Sequence, residues 1–160
     1  EYVGGKLAVL VAFLLLVTWV PAIALLAVQV LFAGSFGFVV ENLVLLPAIT
    51  VFAFVQVLSV SAAMLALSSL SKSSRYVGVL YAALIFFSQA IYGVIYAVTR
   101  DSRWAWISLP NDLATIGDAV FRLPSRFDVP IVVAVVAVGA VLAISGVVLE
   151  RRVRGIEVIS

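Results

Sequence analysis

What constrains this chain most is a set of residues missing from four long stretches. No Asp, Glu, Lys, Arg or His falls within 7–32, 43–70, 76–98 or 130–149. Each run is of the length, about 20 residues, that an α-helix needs to cross a hydrocarbon core of about 30 Å. In such a core every backbone N–H and C=O must be satisfied within the segment, so each run is read as a helix. The sharpest interruption is Ser68–Arg75, a serine-rich break with Lys72 and Arg75 and no acid, placed between two uncharged runs. It reads as a turn at a membrane surface. Over the 160 residues, 65% are hydrophobic and 11% charged, where a soluble domain carries about 25% charged residues. A soluble fold has no means of hiding that much apolar surface. The expected class is an all-α integral membrane protein with four transmembrane helices.

Positive charge sets the expected orientation. Lys6, Lys72, Arg75, Arg151, Arg152 and Arg154 fall in the short segments 1–6, 71–75 and 150–160, whereas Arg100, Arg103, Arg122 and Arg126 are spread over the longer 99–129. Under the positive-inside rule the first group is cytoplasmic, which puts both chain ends on the inner side of a cell membrane. The basic residues flank apolar runs, and the net charge is only +2. No nucleic-acid partner is expected.

Residues 7–32 would form a helix of roughly 39 Å at about 1.5 Å per residue, long enough to require tilt, kink or protrusion. Pro21 is the expected kink: it cannot donate to the carbonyl of Val17, and the Thr18 hydroxyl is a candidate to satisfy the freed backbone. Gly34, Ser35, Gly37 and Glu41 mark the following turn, with Asn42 a plausible cap for the next span. In that span Ser59, Ala62, Ala63, Ala66 and Ser69 share one helical face. Small residues let helices approach closely, whether as a static seam or as a sliding surface. Gly139, Ala143 and Gly146 form a similar face on the last span.

The longest non-spanning segment, 100–128, holds four arginines and four aspartates. Leu113, Ile116, Val120 and Phe121 recur there at helical spacing, with Ser108 or Asn111 as cap and Pro124 as stop. One or two short helices are expected, extracytoplasmic, lying at the interface or re-entering the membrane. Tyr92, Tyr96, Trp104 and Trp106 read as an interfacial aromatic belt, or alternatively as a gate.

Cysteine and histidine are both absent, which removes disulfides, thiol chemistry, imidazole metal sites and histidine bases. No Walker-type phosphate loop is present, and the serine-rich turn has no histidine partner. No catalytic, cofactor-binding or metal residue is therefore expected, and the chain is not expected to be an enzyme. The spans also lack the ionisable side chain that proton-coupled transporters place at membrane depth, which disfavours a proton-driven pump. Among the uncharged polar residues in the spans, Gln56 and Ser59 share a face of the second span, and Gln89, Tyr92 and Tyr96 share a face of the third. These two faces either line a substrate route or act as interhelical glue.

The passage Tyr2, Val3, Gly4, Gly5, Lys6 leading into a span resembles the one that precedes the third span in ABC-2 type transporter permeases. The turn Leu67–Arg75, the segment between the last two spans, and the ending Leu149, Glu150, Arg151, Arg152, Val153, Arg154, Gly155 are similar to the rest of that pattern. The resemblance covers essentially the whole chain. It implies that 1–160 is one transmembrane domain forming the C-terminal part of a six-span permease. It further implies a homodimer or heterodimer of permeases in the lipid bilayer, moving substrate by alternating access. ATP and Mg would be bound by a separate ATPase subunit, for which Lys6, Lys72 and Arg75 are candidate contacts. Some relatives are annotated in the maturation of copper-containing enzymes, but no Cys or His is present here and Met64 is the only methionine. Two other readings stand beside this one: a non-transporting membrane anchor or assembly subunit, and a fragment of a secondary transporter.

Overall fold

The computed structural model describes residues 2–33, 37, 40, 42–71, 73 and 75–157, with side chains placed for all of these except 2, 3, 75 and 152–157. Among the described residues the regular structure is entirely helical: α1 (Tyr2–Ala33), α2 (Leu45–Leu70), α3 (Arg75–Thr99), a short 3-10 helix (Ser102–Ile107), α4 (Leu109–Val120) and α5 (Ile131–Glu157). Four of these, α1, α2, α3 and α5, are long and apolar enough to cross a membrane. The turn residues Gly34, Ser35 and Glu41, and Lys72, lie outside the described residues.

Charges end the apolar runs without ending the helices. Helix α1 begins at Tyr2, so Gly4, Gly5 and Lys6 lie inside it and do not form a separate polar lead-in. Helix α5 continues past Leu149 to Glu157, because Glu and Arg are good helix formers once the chain has left hydrocarbon. Helix α1 also runs unbroken through Pro21. The Thr18 hydroxyl donates to the Leu14 carbonyl at 2.7 Å and not to Val17, since a helical threonine reaches back one turn from its own position. At the start of α2 the Leu45 N–H donates to the Asn42 carbonyl at 2.9 Å, and the N-cap position is Val44, whose side chain makes no capping bond.

Helix α2 is the hub and touches α1, α3, α4 and α5. Its buried residues are small, namely Ala48, Ala53, Ser59, Ser61, Ala63 and Ala66, with Val57. That composition lets neighbouring backbones come close in the absence of a hydrophobic driving force between lipid-soluble helices. One polar link ties α1 to it: the Trp19 indole N–H donates to Thr50 Oγ1 at 3.1 Å. On α5 the buried face is Ala134, Val138 and Ser145, while Gly139, Ala143 and Gly146 are exposed. The small-residue face predicted on that span is not used within this chain.

Segment 100–128 does not lie flat across the helix ends. Ser108, just before α4, brings its hydroxyl to 3.4 Å from that of Ser88, a residue about 16 Å along α3 from Thr99 at 1.5 Å per residue. That is about half of a 30 Å core. The chain descends through the 3-10 helix and returns along α4. Leu109 and Ile116 pack on Ala134 and Val138 of α5, and Gly117 meets the ring of Phe52 on α2. The N–H of Asp128 donates to Ser102 Oγ at 3.1 Å and pins the two ends of the segment together. Helix α4 stops at Val120, before Pro124. Arg122 adopts a left-handed backbone with φ 56, and the N–H groups of Leu123 and Arg122 return to the carbonyls of Asp118 and Ala119, the bonding pattern of a Schellman cap.

The wedge depends on the missing side chain at Gly117, where an added Cβ would stand 3.0 Å from Phe52 Cε2. Gly117→Leu is expected to lower the thermal unfolding midpoint in detergent by an amount equivalent to about 1–3 kcal/mol, the usual cost of overpacking. Gly139→Leu, where nothing lies within 4 Å, is expected to leave the midpoint unchanged or higher.

Candidate functional site

Inserting α4 holds the neighbouring spans apart and leaves a groove between α2, α3 and α4. Its volume is about 470 Å³, and its lining includes Phe52, Gln56 and Val60 from α2, Tyr81 and Ile85 from α3, and Leu113 and Gly117 from α4. Most of the wall is apolar. Gln56 and Tyr81 supply polar groups partway along, and Asp118 with Arg126 supplies a charged pair. Asp118 is 2% exposed. Arg126 grips it twice, through the guanidinium Nε at 3.2 Å from Oδ1 and through its backbone N–H at 3.1 Å from Oδ2. The arginine side chain is itself 65% exposed, so the pair joins the buried wall to the outside of the bundle. The ring of Phe121 meets that of Phe52 edge-on, with centroids 5.6 Å apart.

A second polar group gathers at the base of the re-entrant segment. Gln89 of α3 donates to Asn111 Oδ1 at 3.1 Å, next to the Ser88–Ser108 contact. Thr115 donates to the Asn111 carbonyl at 2.9 Å. Asn111, Asp112, Thr115 and Ser108 are all buried. Two atoms of this group, Asn111 Nδ2 and Asp112 Oδ1, have no hydrogen-bond partner in the protein. Burial pushes the Asp112 carboxyl up from 3.8 to about 7, which amounts to about 4 kcal/mol against the ion. Asp112 lies in the first turn of α4, where the helix dipole favours an anion by only about 0.3–1 kcal/mol. Desolvation wins.

The residues picked out from sequence are distributed unevenly over this geometry. Gln56 lines the groove. Gln89 does not, and is instead engaged with Asn111. Ser59 is fully buried, and its hydroxyl is spent on the Val55 carbonyl at 2.7 Å. Tyr92 and Tyr96 lie together with ring centroids 5.9 Å apart, and Tyr92 also meets Phe127 edge-on. They therefore join α3 to the end of the re-entrant segment, away from Gln56. Lys6 lies on α1 and Arg75 opens α3; Lys72 and the Arg75 side chain are outside the described residues. Among the described residues no three acidic side chains gather into a metal cluster.

Sequence reasoning missed Asp112 and Asp118. Both sit in a segment whose apolar spacing implied one polar face turned to water. Pro110 followed by Asn111 and Asp112 marks a helix start, but nothing in the spacing gives its depth.

Arg126→Ala is expected to destabilise the protein by about 2 kcal/mol, because it leaves a buried carboxylate with its charged hydrogen bond removed. Asp118→Asn, which removes the buried charge itself, should cost less. Thermal unfolding of the two variants checks the order. No family model, curated protein or solved structure matches this chain.

Proposed function

We propose that this chain is the membrane-spanning permease part of an ATP-driven transporter, moving its substrate by alternating access with energy supplied by a separate ATPase subunit. The observation that carries this reading is the wedge. A re-entrant segment enters among apolar spans that carry no acidic or basic side chain in their apolar runs, leaving a groove between α2, α3 and α4 lined by Gln56 and the Asp118–Arg126 pair. A substrate passing between helices needs such a path, and a rocking motion needs helices that meet through small side chains. With no phosphate-binding loop in the sequence, the work must come from outside. The resemblance of the Tyr2–Lys6 passage and the Leu149–Gly155 ending to ABC-2 type permeases points the same way, and on this reading the ends of the chain and the Leu70–Arg75 turn are cytoplasmic, with Lys6, Lys72 and Arg75 meeting the ATPase. The exposed faces of α1, α3 and α5 leave room for lipid and for a second permease copy.

Asp112 favours a second reading. The spans themselves lack ionisable groups, but the re-entrant segment carries one to membrane depth, which is what a proton-coupled transporter requires.

Affinity purification of the tagged full-length protein from its native membranes separates the two. The ATP-driven reading expects a Walker-type ATPase in stoichiometric amount and ATP hydrolysis by the purified assembly, both lost when Lys6, Lys72 and Arg75 are changed to Ala together. Gln56→Leu should slow transport without releasing the ATPase. Absence of any ATPase, combined with solute flux driven by a pH gradient in vesicles, would sink it in favour of proton coupling. Absence of both would leave the anchor or assembly role.

A further inference from the structure

We propose that Asp112 is a proton-binding site, and that the re-entrant segment seats fully in the bundle only while this side chain is the neutral acid. This rests on neither account of the energy source. Asp112 is 3% exposed, and its Oδ1 has no partner in the protein. A carboxylate buried in this way is unfavourable, whereas the neutral acid removes the charge and presents an O–H as a donor.

Among the described residues no cation is placed to offset the charge, and Arg100, between α3 and the 3-10 helix, is exposed. Helix α2 has no ionisable residue along its length, and α5 has none before Glu150. On α3, Tyr81 lines the groove, Tyr92 and Tyr96 stack near the Thr99 end, and Arg75 and Tyr76 lie at the opposite end of the helix. In the 3-10 helix, Arg103 is exposed and directed at Asp101, 3.9 Å away. On α4 and the loop after it, Asp118 is held by Arg126, while Arg122 and Asp128 are exposed beyond the helix end. The neighbours that remain, Ser108, Asn111 and Thr115, are uncharged: Ser108 meets Ser88, Asn111 Oδ1 accepts from Gln89, and Thr115 donates to the Asn111 carbonyl, while Asn111 Nδ2 has no partner and carries no charge to offset an anion.

Loss of the proton to water breaks the acid O–H bond and leaves an anion with an unpaired oxygen inside the bundle. The nearest relief is for the base of α4 to move toward water. Because the folded-state value, about 7, lies above the ordinary 3.8, the folded chain holds a proton that the unfolded chain releases between these values. Stability is therefore full below the lower value and is lost as pH rises through the upper one.

The test is infrared spectroscopy of the purified full-length protein in lipid vesicles, titrated across this window. A protonated-carboxyl C=O band is expected on the acid side, disappearing around neutral pH and absent in Asp112→Asn. Hydrogen exchange of wild-type 102–120, corrected for the intrinsic rate at each pH, should show protection that falls over the same range, and this needs no variant to fold. Asp112→Asn should match the wild-type thermal midpoint below pH 3.8 and exceed it increasingly as the pH rises to about 7, a pH profile that a merely structural side chain would not produce. A wild-type spectrum with no such band at mildly acidic pH, a band that survives in Asp112→Asn, or pH-independent protection of 102–120 would each overturn the proposal.

Discussion

The structure depends on the cost of leaving a polar group without a partner where water is scarce. The four spans meet that cost by being helices, with every backbone bond kept inside the segment. The connection between α3 and α5 meets it differently. It enters the bundle as irregular and 3-10 backbone, which is tolerable at depth only when protein surrounds it. Ser88 and Gln89 of α3 reach Ser108 and Asn111 from outside the segment, and within it Ser102 and the Asp118 carboxylate accept the N–H groups of Asp128 and Arg126.

Room for that segment comes from small residues. Ala48, Ala53, Ser59, Ala63 and Ala66 draw the other helices close to α2, and Gly117 lets α4 approach the ring of Phe52. The same wedge leaves the groove. Packing and path are therefore two consequences of one insertion, and a change that displaces α4 should disturb both. Gln56 and Gln89, similar in type and each on an uncharged span, have different surroundings: Gln56 lines the groove, whereas Gln89 is held by Asn111 in the first turn of α4.

Two aspartates on one short helix behave differently for reasons that are local. Asp118, near the end of α4, meets the backbone and side chain of Arg126 as the chain turns back through the left-handed Arg122. Asp112, at the deep end, meets only uncharged groups. The pair illustrates that burial alone does not decide a carboxyl's charge; what faces it does.

The sequence by itself determined the helical class and the approximate limits of the four helices that are long and apolar enough to cross a membrane, because a run of uncharged residues of that length has few other ways to fold. It also determined that α2 would carry a seam of small residues, since helical periodicity fixes which side chains share a face. Periodicity says nothing about which face meets which neighbour. The seam predicted on α5 turned out to face away from the chain, and the aromatic pair Tyr92 and Tyr96 joined the loop end and not Gln56. The depth of segment 100–128 was equally out of reach, because an amphipathic pattern is the same whether its polar side meets water or the side chains of another helix. Only the tertiary structure decided that Asp112 and Asp118 lie inside the bundle, since their burial is produced by residues distant in the chain closing around them.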